Sequence, residues 1–444
     1  MPDQILTFGQ SLRERVIPVA ISRKVQAAAA SVGNFLEFYN FMAYAFFAPM
    51  IGQAFFPVHN PLMQLLAALI TFAAGFAARP VGAFVMGLYA TRAGVSKTLM
   101  VTFLMMAVGS ALLVVTPTYA QIGIAAPVLI LLSRLLHGFS DGGEVGPATD
   151  FLYALGGKHD AGAFASAQAL TQFAAGLVAV AVGFILSSVL THDQLYSWGW
   201  RVPFVLGLSI VPVGLFFRRI AITGVLPHQQ PAAGHPQERV SPVVVAMAFG
   251  VILTGTVTTY LRTFGASYAI SVLHLSPAIG MAAMAIGLAA GIGSIIVGIA
   301  LHRLMAPRRV IVGAYAAYCL LILPAYYYSV HAPGLASQIV LNLVANMLTG
   351  LVSATSYDLM LRAIPASRRT FVFGLIYSLA VSIFGGATQP FVTWLIAVTS
   401  DPLVPGYVGA CVAPIAPLAL LVLLHRAKQP SHSDDHAEPY LSEA

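Results

Sequence analysis

Long apolar stretches follow one another along almost the whole chain, and each has the length of a membrane-crossing helix. Such a helix needs about 20 apolar residues to cross the hydrocarbon core of a bilayer. Turn residues such as Pro57, Pro117, Pro333 and Pro405 separate the stretches. The pattern predicts about twelve membrane helices, at residues 27–56, 61–90, 98–116, 122–147, 161–190, 200–220, 242–270, 277–301, 309–330, 336–363, 371–397 and 405–425.

The longest polar interruption before the C-terminal tail divides these helices into two sets of six. A weak repeat supports the division, because Gly87 precedes Arg92 by the same interval that separates Gly298 from Arg303. Transporters are often built from two such repeats, with the substrate held between them. The sequence therefore predicts an all-α membrane protein with two pseudo-symmetric six-helix bundles. The predicted units are a cytoplasmic segment 1–26, a first bundle 27–221, a cytoplasmic loop 222–241, a second bundle 242–425 and a disordered cytoplasmic tail 426–444.

The composition excludes most soluble classes of protein. Only 8% of the 444 residues are charged, 58% are hydrophobic, and the mean hydropathy is +0.84. A typical soluble domain has about 25% charged residues. A soluble enzyme, a nucleic-acid-binding protein and a disordered scaffold are therefore ruled out, and neither a metal-binding HExxH motif nor a nucleophile constellation points to a membrane enzyme.

The basic residues predict how the helices are oriented. Of the 22 lysines and arginines, 18 fall at the N-terminus or at even-numbered helix boundaries, and one, Arg201, falls at an odd-numbered boundary. The other three lie within predicted helices. Because cytoplasmic loops are rich in Lys and Arg, the pattern places both termini in the cytoplasm.

Three polar residues lie on one face of the first helix. Asn34 and Asn40 stand three residues to either side of Glu37, so all three point the same way. A charge inside a bilayer costs at least ~2.5–3.5 kcal/mol and needs an explanation. Glu37 is either a structural acid paired with an arginine or a group that binds substrate or a proton.

The sign of the buried charge points to an anionic substrate. Three arginines lie deep in predicted helices: Arg79 in the second, Arg134 in the fourth and Arg262 in the seventh. Glu37 is the one acid counted at a similar depth, so the net charge of these four side chains is about +2. Guanidinium groups match carboxylates in a bidentate way. We therefore expect a di- or tricarboxylate, which would bridge Arg134 of the first bundle and Arg262 of the second. The alternative is that Arg79 and Arg134 pair with Glu37 and with acids of the fourth helix.

The fourth helix continues from Arg134 into a polar stripe of His137, Asp141 and Glu144. Asp141 and Glu144 are expected to be structural, anchoring loops or pairing with Arg92. A histidine can titrate near neutral pH, so His137 is either a proton-carrying group or a hydrogen-bonded structural residue. Further polar stripes occur on the fifth, tenth and eleventh helices, where most members should pack helices and a minority should line a cavity. Of these, Gln168, Gln172 and Tyr377 are predicted to bind substrate.

Five ordered motifs carry a resemblance that covers residues 27–425. They are GNFLEFYNFMAYAFFAPMIGQAFFP (33–57), ARPVGAFVMGLYATRAG (78–94), LLSRLLHGFSDGGEVG (131–146), WGWRVPFVLG (198–207) and SLAVSIFGGATQPFVTWLIAVTSDPLVPGY (378–407). The chain resembles the metabolite:proton symporter family of the major facilitator superfamily, and among its members the citrate and tricarballylate carriers. The resemblance implies a central cavity and rocker-switch alternating access coupled to a proton gradient.

The resemblance also implies roles for individual positions. Arg134 with Gly138 matches the helix 4 signature linked to proton coupling, so the predicted coupling residues are Glu37, Arg134 and His137. The predicted substrate-binding set is Asn34, Glu37, Asn40, Arg79, Arg134, Gln168, Gln172, Arg262 and Tyr377. The loop that steadies one conformation is predicted to comprise Gly87, Thr91, Arg92, Gly94, His302 and Arg303.

The chain departs from the family pattern at several acids. Thr91, His302, Asn40, Ala154 and Arg362 stand where family members carry Asp or Glu. In addition, His137 replaces the usual glutamine of the helix 4 signature, and Arg262 replaces a small polar residue. With the acid at position 40 replaced by Asn40, Glu37 and His137 remain as the titratable candidates for proton coupling.

The sequence predicts a secondary transporter of the bacterial cytoplasmic (inner) membrane that carries a small organic anion such as citrate, with proton symport. The expected partners are this anion, protons and the lipid bilayer, with no cofactor, no metal and no nucleic acid, and the chain is expected to be monomeric. Two alternatives stay open. One is a carrier of a zwitterion such as betaine or proline, and the other is a membrane nutrient sensor that does not transport.

Overall fold

Long helices account for nearly all of the described part of the chain. The computed structural model describes residues 23–93, 95–142, 166–208, 211–212, 240–362, 364 and 369–427. In these ranges the long helices are α1 (Arg23–Phe55), α2 (Pro61–Ala93), α3 (Val95–Val115), α4 (Ala125–Asp141), α5 (Ala167–Val189), α6 (202–208), α7 (Pro242–Ser271), α8 (Pro277–Leu304), α9 (Pro307–His331), α10 (Leu335–Arg362), α11 (Arg369–Ala380 and Gly386–Thr399, joined by a π-helical turn Val381–Gly385) and α12 (Val404–Val412 and Ile415–Ala427). The twelve predicted helices are confirmed within these limits. The predicted loop 222–241 lies outside the described residues up to residue 239, and so does the tail from residue 428, so the domain limits stay a prediction.

Several of these helices begin at a proline. Pro61, Pro242, Pro277 and Pro307 open α2, α7, α8 and α9. Proline suits this position because its fixed φ is helical and its missing N–H has no partner in the first turn. At α2 the side chain of Asn60 also accepts a hydrogen bond from the backbone N–H of Leu62 (2.9 Å). Prolines between the apolar stretches therefore act as helix starts at these four positions.

The helices have the length and apolarity of membrane spans. Eight helical segments among the described residues are long and apolar enough to cross a bilayer, and Met100–Val115 is a shorter apolar helix. Large apolar side chains such as Phe84, Leu104 and Val189 are exposed on the outside of the bundle, as expected of surfaces that face lipid.

Glycines bring neighbouring helices into close contact in both halves of the chain. A side-chain carbon added at Gly138 of α4 would overlap the carbonyl oxygen of Gly75 on α2. In the second half, a carbon added at Gly287 of α8 would lie 2.7 Å from the Cβ of Asn342 on α10. Small residues allow such contacts between membrane helices. The pairs α2–α4 and α8–α10 occupy equivalent places in the two sets of six.

The two halves meet in the middle of the bundle and toward the outer ends of the helices. Ser267 of α7 donates a hydrogen bond to the carbonyl of Ala45 on α1 (2.6 Å). A carbon added at Gly183 of α5 would lie 2.6 Å from the sulfur of Met281 on α8. At the opposite ends of the helices, Arg92, Lys97 and Arg309 are exposed, which identifies that side as cytoplasmic.

Candidate functional site

A cavity of about 110 Å³ lies between the halves, on the cytoplasmic side of these contacts. Its walls come from α1, α5, α7, α9, α10 and α11, and they carry hydroxyl, amide and aromatic groups. No charged side chain lines it among the described residues. The polar and aromatic lining residues are Phe38, Gln172, Phe173, Thr256, Thr258, Thr259, Tyr260, Tyr315, Thr349, Ser353, Ser356 and Tyr377. Because the outer contacts are closed and the cavity lies toward the cytoplasm, we interpret the structure as an inward-facing arrangement.

Two of the predicted substrate-binding residues line this cavity. Gln172 of α5 and Tyr377 of α11 face it from different halves. The Nε2 donor of Gln172 is buried and has no hydrogen-bond acceptor among the described residues. An amide donor of this kind is available to a carboxylate or hydroxyl group of a bound molecule.

The other predicted residues of the first half form three buried groups behind the cavity wall. In the first group, Arg79 of α2 lies 2.9 Å from a carboxylate oxygen of Glu37 on α1 and 3.4 Å from one of Asp141 on α4. All three side chains are at most 5% exposed. The Arg79 guanidinium also lies over the ring of Phe76, 4.8 Å from its centroid. Two carboxylates therefore share one guanidinium at the junction of three helices.

Asp141 corrects the charge balance drawn from the sequence. It was expected near the cytoplasmic loop and Arg92. It lies buried beside Arg79 instead, because the polar face of α4 that carries it points into the bundle. In the described region, three buried arginines thus face two carboxylates rather than one. The positive excess falls from two charges to one. Of the alternative in which Arg79 and Arg134 pair with Glu37 and acids of the fourth helix, the part that concerns Arg79 is observed, whereas Arg134 contacts Ser133 and His137 and no acid among the described residues.

The second group is a hydrogen-bonded chain that starts at Arg134. Arg134 Nη2 lies 2.9 Å from His137 Nδ1, His137 Nε2 lies 2.9 Å from Ser110 Oγ, and Ser110 donates to Asn40 Oδ1 at 3.1 Å. His137 Nδ1 also lies 2.9 Å from the backbone carbonyl oxygen of Ser133, so the donor and acceptor roles of the imidazole depend on its tautomer. The chain joins α4, α3 and α1. His137 accordingly acts as a bridge between a cation and a hydroxyl group.

The third group joins α1 to α5 through amide side chains. Gln168 donates to Asn34 Oδ1 (2.9 Å), and Asn34 donates in return to Thr171 Oγ1 (2.6 Å) and to the carbonyl of Gln168 (3.1 Å). Asn34, Glu37 and Asn40 do share one face, as predicted, but each contacts a different helix. This face holds the first half together.

Arg262 has a different environment in the second half. Its Nη1 donates to Asn346 Oδ1 on α10 (3.0 Å), and its guanidinium lies over the ring of Phe173 on α5, 4.0 Å from the centroid. It is 3% exposed, and Nε has no hydrogen-bond partner among the described residues. In that part of the chain Arg262 has no carboxylate within 4.0 Å, in contrast to Arg79. Arg262 is therefore a buried cation that is paired with a neutral amide and an aromatic ring.

The predicted conformational loop is only partly described. Gly87 lies within α2 with open space around it, and Arg92 is exposed near the helix end. Gly94 and the side chains of Thr91, His302 and Arg303 lie outside the described residues. The role of this loop stays a prediction.

Sequence reasoning missed several residues that the structure places in these groups. Ser110 is the only polar side chain in residues 103–115 of α3, and its isolation in this apolar stretch was the available signal. Phe173 and Tyr260 carried no signal, because an aromatic side chain in a membrane helix most often faces lipid or packing partners. Asn346 was seen only as part of a polar stripe. Its contact with Arg262 depends on how α7 and α10 pack, which a single sequence does not reveal.

Comparison with known proteins places this architecture among membrane transporters. A family model described as "Sugar (and other) transporter" matches residues 26–221. The chain is 31% identical to a citrate-proton symporter of Salmonella typhi, over 86% of this chain and 89% of that protein. It is 32% identical to a citrate-proton symporter of Klebsiella pneumoniae, over 89% of this chain and 90% of that protein. A proline/betaine transporter of Salmonella typhimurium is 28% identical, over 94% of this chain and 86% of that protein.

The fold is also similar to solved structures. A D-xylose-proton symporter superposes with a TM-score of 0.65 at 16% sequence identity, covering 90% of this chain and 96% of that one. At this level of identity the similarity concerns the fold.

Proposed function

Because the chain belongs to the metabolite:proton symporter family of the major facilitator superfamily, we propose that it carries a small organic anion, of the di- or tricarboxylate class, together with protons. The chain is a multi-span secondary transporter of the bacterial inner membrane and not an enzyme. Citrate is the first substrate to test, since two relatives are citrate-proton symporters.

The observation that carries the anion proposal is the environment of Arg262. A buried guanidinium with an unpaired N–H edge and no carboxylate nearby is unfavourable inside a membrane-spanning bundle. A carboxylate would supply both the missing acceptor and the missing charge. Arg262 lies next to Phe173, which lines the cavity, so an anion in the cavity is one aromatic ring away from it. Gln172 and the hydroxyl groups of the cavity would bind the remaining oxygen atoms.

The proton is assigned to the group of Glu37, Arg79 and Asp141. A proton on Glu37 removes its charge and leaves Arg79 with the longer contact to Asp141. This weakens the link between α1 and α2. Arg79 lies over Phe76, whose ring meets that of Tyr260 at 5.3 Å in an edge-on contact across the interface. Tyr260 lines the cavity, so protonation at Glu37 reaches the cavity wall of the second half through two rings.

Alternating access then follows from the two-bundle fold. In the inward-facing arrangement the outer contacts around Ser267 and Gly183 are closed and the cavity lies toward the cytoplasm. Rocking the bundles about the middle would open the outer contacts and close the inner ends. The bound anion and the proton each change contacts that lie on or next to the surface between the bundles.

An uptake measurement tests the anion proposal. Purified protein in liposomes is supplied with labelled citrate, other di- and tricarboxylates, betaine and proline, with and without an inward proton gradient. We expect gradient-driven accumulation of at least one carboxylate, and we expect Arg262→Gln to lower its uptake by about 10- to 100-fold through loss of a charge-assisted contact. Arg309→Gln is the matched control, because Arg309 is exposed on the cytoplasmic side. Equal effects of the two substitutions would contradict the proposal.

One observation favours a zwitterion as the second candidate. The lining of the cavity contains several aromatic rings, including those of Phe38, Tyr315 and Tyr377, and no charged group among the described residues. Aromatic faces attract quaternary ammonium groups. A betaine would place its ammonium among these rings and its carboxylate toward Arg262. Uptake of betaine without uptake of any carboxylate would select this candidate, and binding without uptake would select a sensor.

A further inference from the structure

The ring of Phe173 occupies an unusual position between the two halves of the protein. It belongs to α5 of the first half, it is 4% exposed, and it forms part of the cavity wall. Its other side faces the second half, where the guanidinium of Arg262 lies 4.0 Å from the ring centroid. Arg262 itself does not line the cavity among the described residues. Phe173 therefore separates the buried cation from the space that a substrate would enter.

The second half leaves room for this ring through two glycines spaced one helical turn apart on α8. A side-chain carbon added at Gly291 would overlap the Phe173 ring, and it would lie 3.2 Å from the carbonyl oxygen of Asn346. One added at Gly287 would lie 2.8 Å from the side-chain nitrogen of Asn346. The glycines thus allow Asn346 to hold Arg262 and allow the ring to insert beside it. No other side chain at position 291 would leave this space.

The contact ties the halves together in the inward-facing arrangement. A buried cation over an aromatic face attracts the ring electrostatically. Because the ring and the cation lie on different bundles, the attraction holds the bundles in this arrangement. Nε of Arg262 is buried without a hydrogen-bond partner among the described residues, and the Phe173 ring that lies over the guanidinium is buried with it.

We propose that Phe173 is an internal gate, which covers Arg262 from the cavity and whose displacement couples anion binding at Arg262 to the movement of the two bundles. The proposal rests on the proposed function in one respect, namely that Arg262 receives the anion. Phe173 is a positioning residue in this scheme, and it acts through Arg262.

The test measures the position of the bundles without any substrate. Spin labels are attached at Lys97→Cys and Arg309→Cys, two exposed cytoplasmic sites on different halves, in a background with Cys319→Ser and Cys411→Ser. Distances are measured in lipid nanodiscs for the otherwise unchanged protein and for Phe173→Leu, Arg262→Gln and the double variant. Leucine keeps most of the bulk and removes the aromatic face.

We expect Phe173→Leu and Arg262→Gln each to shift the population from the long to the short cytoplasmic distance by roughly 5- to 30-fold in the ratio of the two states. In the double variant the shift should be close to that of one single variant, because each substitution removes the same contact. Phe184→Leu, an exposed residue on the same helix, is the control and should leave the distances unchanged. Gly291→Ala, which pushes against the ring from α8, should shift the ratio in the same direction.

The gate would be overturned if the shifts in the distance ratio caused by Phe173→Leu and Arg262→Gln were additive, because additivity means that Phe173 acts through general packing and not through Arg262. It would also be overturned if neither Phe173→Leu nor Gly291→Ala shifted the ratio. A second measurement separates this failure from that of the proposed function. In the unchanged protein, citrate at 10 mM (roughly tenfold above a weak millimolar affinity) should shift the population toward the short cytoplasmic distance. The same citrate concentration should shift the population of Phe173→Leu much less. If the effects of Phe173→Leu and Arg262→Gln are non-additive but no tested carboxylate changes the distances, the gate stands and the anion proposal is wrong.

Discussion

Arg79 of the first half and Arg262 of the second are buried in opposite ways. In the first half, Arg79 lies between the carboxylates of Glu37 and Asp141, whereas Arg134 contacts His137 and the ring of Tyr44, with no carboxylate within 4.0 Å among the described residues. In the second half, Arg262 has an amide and an aromatic ring, with no carboxylate within 4.0 Å among the described residues. The first half therefore has acids that a proton can neutralise, and the second half has a cation that an anion can neutralise. A symporter of an anion needs both, and we propose that the proton binds in the first bundle and the anion in the second.

Glu37→Gln should have the largest effect on this division of roles. The glutamine oxygen still accepts from Arg79, but position 37 can no longer bind a proton. An inward gradient of about two pH units can drive up to about 100-fold accumulation through one coupled proton, and this accumulation should fall to about unity. Exchange of internal for external substrate should continue, because it needs no net proton movement. Accumulation that persists in Glu37→Gln would place the proton elsewhere.

Asn346→Asp would give the second half the carboxylate that it lacks. An acid at this position would lie within hydrogen-bond distance of Arg262 and would neutralise it internally, as Glu37 does for Arg79. We expect the affinity for citrate to fall by about tenfold or more, measured by calorimetry on the purified carrier. Asn346→Leu is the matched control, because it removes the hydrogen bond without adding a charge. The aspartate variant binding as well as the leucine variant would contradict the role of the unpaired charge.

His137→Gln tests whether His137 in the first half carries a proton or only bridges Arg134 and Ser110. Glutamine offers an acceptor for Arg134 and a donor for Ser110, so it can replace the imidazole in the chain. If His137 only bridges these groups, gradient-driven uptake should stay within about threefold of the unchanged protein, with the same dependence on external pH. A lost or displaced pH dependence in this variant, with Glu37→Gln still coupled, would make His137 the proton-carrying group.

Asn34→Ala should have the smallest effect on transport and a measurable effect on stability. It removes the hydrogen bonds that link α1 to Gln168 and Thr171 on α5, at some distance from either charge. We expect a loss of about 1 kcal/mol in stability, seen as a lower midpoint of thermal unfolding, and substrate affinity within about twofold. A large loss of affinity with unchanged stability would return Asn34 to the substrate-binding set.

The sequence was sufficient for the fold because membrane helices carry their signal locally. Apolar length, proline and glycine breaks and the placement of Arg and Lys predicted the helices and their orientation without knowledge of any contact. Buried charges such as Glu37 and Arg262 were found in the same way, because a charge in an apolar stretch is conspicuous.

The partners of these charges were harder to predict because they come from other helices. Asp141 was assigned to a cytoplasmic loop by its distance along α4 from Arg134, whereas its buried face turns it toward Arg79. Phe173 and Gly291 meet only because α5 and α8 cross at this level. Polarity along a helix predicts which face avoids lipid, but the neighbour on that face depends on tertiary packing.

The assignment of the proton to the first half and the anion to the second is tested most directly by counting protons moved with citrate. Liposomes that contain a pH-sensitive dye report proton entry while labelled citrate enters down its own gradient. For the unchanged protein, we predict that citrate uptake acidifies the interior by at least about one proton per citrate beyond the value for Glu37→Gln, which should still admit citrate down its gradient. Identical proton movement in the two proteins at equal citrate uptake would contradict the account.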